Sequence, residues 1–97
     1  MKFVTLVKFT PSGISQIGAS PQRAMEFAQT AKSMGCLIDE ILWTQGEYDG
    51  IILFAAPDPE TAAATMLKFG ALGNVTTTTM VAFDAQSMTN ILAKQPV

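Results

Sequence analysis

The chain has no histidine and a single cysteine, Cys36, among its 97 residues. Without imidazole there is no Ser-His-Asp or Cys-His catalysis, no His-ligated zinc and no proximal haem ligand. One thiol excludes an internal disulfide and every paired-cysteine metal or redox motif, which fits a reducing, cytoplasmic setting. No metal and no cofactor are therefore expected. Charge is also scarce: 14% of the residues are Asp, Glu, Lys or Arg, against about 25% in an average globular protein. Six Lys and Arg face eight Asp and Glu, a net charge of -2, so no positive field is available for a phosphate backbone and nucleic acid is not an expected partner. Long apolar runs are missing as well. None approaches the roughly 18 to 20 residues of a spanning helix, and the N-terminal apolar stretch, which holds Thr5 and is closed by Lys8, lacks the cleavage site of a secretory signal and reads as a strand.

What is present is a hydrophobic content of 48%, which excludes disorder and predicts one compact domain over residues 1–97. From Lys2 to Thr10 the chain is β-branched, aromatic or aliphatic, with Val4 and Leu6 on one face and Phe3, Thr5, Val7 and Phe9 on the other. Pro11-Ser12-Gly13 breaks this strand, and a loop to Ser20, longer than the usual connection, is a candidate lid. Ser20 as N-cap and Pro21 at the first helical position open a helix to Met34, with Ala24, Phe27, Ala28 and Ala31 as its buried stripe and Gly35 as its left-handed cap.

Cys36 to Gln45 reads as a second strand in which Leu37, Asp39, Ile41 and Trp43 alternate with Ile38, Glu40, Leu42 and Thr44. Residues 46–50 are a hairpin connection, and Ile51 to Ala56 is a central strand. Asp58 and Pro59 repeat the cap pattern for a helix to about Leu72 whose sheet side includes Ala62, Ala63, Met66, Leu67 and Leu72. Val75 to Phe83 is a fourth strand by β-branching, and Ser87 to Lys94 a weak final helix.

The order is the ferredoxin-like β-α-β-β-α-β pattern of an α+β sandwich with a short C-terminal helix. Both helices cover one face of the sheet. Strands apolar on both faces leave the other face in need of cover, and Phe3, Val7 and Phe9 are assigned to it, so a homo-oligomer is expected, with two sheets packed as a dimeric α/β barrel. The segments Gly13-Ile14, Ser20-Pro21-Gln22-Arg23, Met34-Gly35, Trp43-Thr44-Gln45-Gly46-Glu47-Tyr48-Asp49, Ala56-Pro57-Asp58 and Gly73-Asn74-Val75 through Ala82-Phe83 together resemble the GYD-motif family of the dimeric α/β-barrel, ferredoxin-like group. The resemblance implies this fold and dimerisation; it brings no catalytic residues.

Candidate site residues are few. Tyr48 and Asp49 sit where a strand turns back: Asp49 bonds turn backbone while Tyr48 packs on a partner subunit, or the pair is a phenolic donor and a base at the mouth of a pocket. Asp39 and Glu40, being adjacent, point to opposite faces; they are edge-strand charges in solvent, or one is a base on a dry face. Trp43 belongs to a core or subunit contact, or stacks a planar ligand. Cys36 reads as an inert buried thiol, and Thr77 and Thr79 as strand formers able to donate to an enclosed ligand. Three functions remain compatible: a homo-oligomer that binds a small hydrophobic molecule, a cofactor-independent oxygenase, isomerase or cyclase using a carboxylate or Tyr48 in an apolar cavity, and a structural oligomer filled by Phe3, Phe9 and Phe83.

Overall fold

A computed structural model describes residues 1–96. Strand β1 spans Lys2–Phe9, β2 Leu37–Trp43, β3 Gly50–Ala55 and β4 Val75–Ala82; the helices are α1, Pro11–Ser15, α2, Ser20–Ser33, α3, Pro59–Ala71, and α4, Ala85–Leu92. The four strands form one antiparallel sheet in the order β2-β3-β1-β4, the ferredoxin-like α+β arrangement. Helix α2 packs over β2 and α3 over β4, on the same face. No helix among the described residues is long and apolar enough to cross a membrane.

The core lies between that face and the helices. Phe3 and Val7 of β1, Ile52 and Phe54 of β3 and Val75 of β4 meet Phe27 and Ala31 of α2 and Ala62 and Met66 of α3. Phe3 stacks on Phe54 at 5.3 Å between ring centroids, and Phe27 stacks on Phe69 at 4.3 Å, which joins the two helices. Thr5, fully buried in the middle of this face, satisfies its hydroxyl on Thr79, Oγ1 to Oγ1 2.8 Å. Phe3 and Val7 are thus core residues beneath the helices, with Phe9 packed beside them. That corrects their assignment to the uncovered face. A strand apolar on both sides does not say which side the helices choose.

The uncovered face is carried by the alternate residues: Val4 and Leu6 of β1, Ile51 and Leu53 of β3, Met80 of β4, and Leu37 and Leu42 of β2. Of these, Leu37, Leu42 and Met80 are exposed by 60%, 46% and 44%, so the patch is open to a partner. Lys2 and Lys8 stand at the two ends of β1 on the same face.

Three local expectations change. Residues 11–19 are not a plain loop: Thr10 caps α1 by accepting from Gly13 N, Pro11 takes its first turn, and a 3-10 turn, Ile17–Ala19, follows. Helix α2 starts one residue early, at Ser20, with Ala19 as a cap that offers no side chain. In α3, Ala62 and Met66 face the core as expected, but Leu67 and Leu72 are 73% and 67% exposed and Ala63 is exposed, because a helix on an edge strand presents only a narrow stripe to the sheet. Asp58 caps α3 by accepting from Thr61 N at 2.7 Å, and Asp84 caps α4 by accepting from Ser87 N at 2.9 Å.

Candidate functional site

The connection at 46–49 is the junction from which the candidate residues diverge. Gly46 has a φ of 146°, open to glycine and rare for other residues, and it lets β2 turn back into β3. Thr44 holds the turn, its hydroxyl donating to Tyr48 O at 2.6 Å and its N–H to Asp49 O at 2.9 Å. Asp49 then ties the turn to β1. Its N–H donates to Val7 O at 2.8 Å, and its carboxylate oxygen Oδ2 accepts from Phe9 N at 2.8 Å. Asp49 therefore bonds backbone, as expected of a turn Asp, though the backbone belongs to β1 rather than to the turn itself.

Tyr48 and Asp49 face different spaces. The half-buried Tyr48 lies toward the uncovered face, where its ring stands 5.2 Å from the Lys8 ammonium. There it borders an open groove of about 270 Å³ with Leu6, Glu47 and Ile51. Asp49 borders a second cavity, on the helix side of the sheet end, and so does Trp43. The indole N–H of Trp43 donates to the hydroxyl of Ser20 at 2.9 Å, fixing the ring against the first turn of α2. The Ser20 hydroxyl, expected as a helix cap, is used instead to anchor this ring.

This second cavity has a volume of about 50 Å³. Its walls are Val7, Phe9, Ile41, Ile52, Phe69 and Val75, and its polar rim is Ser20, Arg23, Asp49 and Asn74. Arg23, Asn74 and Ser20 were not among the candidates from the sequence. The available signal was Ser20-Pro21 as a helix start, which puts residue 23 in a first turn that opens toward the end of a sheet. The half-buried Arg23 donates from Nη2 to Gln16 Oε1.

Asp39 and Glu40 border neither space. Both are exposed on β2, an edge strand, consistent with edge charges in solvent. Their expected placement on opposite faces is overturned by a shift of register between Ile38 and Glu40: Ile38 pairs with Phe54, Glu40 with Leu53 and Ile41 with Ile52, so Asp39 is an extra residue. After the bulge the alternation inverts, and Ile38, Ile41 and Trp43 share the helix side. Cys36 is fully buried. Thr65 donates its only hydroxyl proton to Thr61 O at 2.8 Å, so at 3.3 Å the Cys36 S–H is the donor to Thr65 Oγ1. Among the described residues no group of His, Cys, Asp and Glu side chains is arranged to hold a metal ion.

Comparison with known proteins returns a family rather than a characterised relative. No curated protein and no solved structure matches the chain. The model of the GYD domain family matches residues 3–92, a span that runs from the first residues of β1 to the end of α4 and includes every rim residue of the cavity. The chain is a member of the GYD domain family.

Proposed function

We propose that the protein is a homodimer that packs its uncovered sheet faces together and binds a small, largely apolar molecule in the cavity beside Trp43 and Asp49. The observation that carries the dimer is the uncovered face itself: Leu37, Leu42, Leu53, Met80, Val4 and Leu6 form a contiguous apolar surface, of the kind that marks an interaction site. Face-to-face packing would also roof the groove beside Tyr48, giving that side chain its role at the subunit contact. Binding is supported by the cavity's apolar walls and few polar groups at one rim, the usual composition of a small-molecule site.

Mass, thermal stability and tryptophan fluorescence test the reading. Light scattering over a wide concentration range should give a mass twice 10.3 kDa, and the melting temperature should fall on dilution. Leu53→Glu, at the centre of the uncovered face, should yield a folded monomer. A wild-type chain that stays monomeric, with a melting point independent of concentration, overturns the dimer. Trp43 is the single tryptophan and borders the cavity, so ligand entry is read directly in its fluorescence.

A further inference from the structure

The cavity beside Trp43 is apolar in its depth and charged only at its rim, and the two charges there have opposite sign. Arg23 and Asp49 both border it. They do not pair with each other: the ion pair found among the described residues joins Lys2 to Asp84. The guanidinium of Arg23 is engaged by the neutral amide of Gln16, which leaves most of its five donors unused. Asp49 uses Oδ2 for Phe9 N–H, and its other oxygen has no hydrogen bond to the described residues. A cation and an anion that share a cavity without closing on one another complement a molecule with separated charges of its own.

Size narrows the class. At about 10 to 15 Å³ for each water-sized group, a cavity of about 50 Å³ admits three to five such groups. The cavity is about a third of the roughly 150 Å³ closed space that takes benzene, which disfavours an aromatic ring in its depth. A branched alkyl group of three or four carbons fits. The first turn of α2, which carries Ser20 and Arg23 and has no side-chain cap, adds the positive end of a helix dipole on the Arg23 side.

We propose that this cavity takes a free α-amino acid with a small branched aliphatic side chain, its alkyl group between Val7, Ile41, Ile52 and Phe69, its carboxylate on Arg23 and its ammonium on Asp49. The inference rests on the cavity being the ligand site; the apolar part proposed for the ligand is its alkyl group, to which a carboxylate and an ammonium are added at the rim. Arg23 offers the planar donor pair that a carboxylate accepts in two parallel bonds. The free oxygen of Asp49 accepts from an ammonium while Oδ2 remains on Phe9 N–H.

Titration calorimetry on the intact protein decides the matter with four probes that share the branched alkyl group: L-valine, isovalerate, which lacks the amine, isobutylamine, which lacks the carboxylate, and isobutanol, which carries neither charge. L-Valine should bind about tenfold or more tighter than isovalerate or isobutylamine, each of which forgoes one charge-assisted contact. Arg23→Gln should reduce L-valine to the affinity of isobutylamine and leave isobutylamine unchanged. Asp49→Asn, whose amide oxygen can still accept from Phe9 N–H, should reduce L-valine to the affinity of isovalerate and leave isovalerate unchanged. Matched deletions in ligand and protein would not arise from a structural role. Isobutanol binding as well as L-valine overturns the amino-acid assignment and leaves the apolar site standing. No binding of any probe at millimolar concentration overturns both.

Discussion

Replacing Asp49 by Ala isolates one interaction with a calculable cost. Of the contacts this residue makes, those through its N–H to Val7 O and its O from Thr44 N survive any substitution other than proline, and the bond from Phe9 N to Oδ2 at 2.8 Å does not. A hydrogen bond to a charged group contributes about 1.5 to 3 kcal/mol, and a buried donor left without a partner costs about 1 to 3 kcal/mol. Phe9 and Asp49 are half-buried, so water reaches part of the exposed N–H and the loss should fall near 1 to 2 kcal/mol. With a urea slope of about 1 to 3 kcal/mol per molar for a small domain, the midpoint should drop by roughly 1 M. Urea titrations at one fixed protein concentration measure it, with an unchanged slope as the condition for reading it as stability. Asp49→Asn should recover more than half of the loss. Tyr48→Phe is the control, because its hydroxyl makes no hydrogen bond to the described residues and the ring that remains still faces the Lys8 ammonium; it should lie within about 0.5 kcal/mol of wild type. An Asp49→Ala chain as stable as wild type would refute the view that this carboxylate secures the end of β1.

Gly13→Ala should be strongly destabilising, because a Cβ there would stand 1.9 Å from Asn74 O and 2.9 Å from the Asn74 carbonyl carbon; separating α1 from the loop before β4 costs about 1 to 3 kcal/mol, and a melting temperature within two degrees of wild type would contradict the contact. The Asp58 carboxylate is held below its ordinary pKa of 3.8, first by the hydrogen bond from the Thr61 backbone. Its contribution is therefore present above the ordinary value and is lost as pH falls through the lowered one. Asp58→Asn, which keeps a capping oxygen but does not titrate, should be less stable than wild type at pH 6 and approach it on acidification below the ordinary value. A gap between the two that widens in acid would reverse the sign of the argument.

Much of the architecture is readable in the sequence because the elements carry redundant signals. The stripe of Ala24, Phe27, Ala28 and Ala31, the Asp58-Pro59 start and the left-handed Gly35 are all found in place. The misreadings have identifiable physical origins. Thr10-Pro11 has the same cap-and-proline form as Asp58-Pro59, but Pro11-Ser12-Gly13 reads as a breaker, and the close approach of Gly13 to Asn74 that accounts for this glycine is a tertiary fact. The extra residue at Asp39 leaves no mark in composition, yet it inverts the faces of every residue after it and carries Trp43 to the helix side. Of the residues at the cavity, only Trp43 and Asp49 are legible as site candidates in the sequence. Arg23 and Asn74 lie far apart in sequence and are brought together by the sheet order, which no local pattern encodes.

That sheet order also dictates when the protein can fold. Strand β1 is made before the other three strands, but it lies between β3 and β4, with Lys2 opposite Ala55 on one side and Ala82 on the other. While the chain emerges from the ribosome, an apolar strand waits without a partner until β3 has been made, and the sheet closes only after β4. Helix α2 can form early, but it has no surface to settle on. Closing such long loops before any pairing rewards them slows folding relative to helical proteins of this size, and the waiting strand is the segment most exposed to misassembly. The bulk of the chain is therefore committed late and together, and a cut anywhere before β4 removes a neighbour of the central strand rather than trimming an edge of an already finished domain.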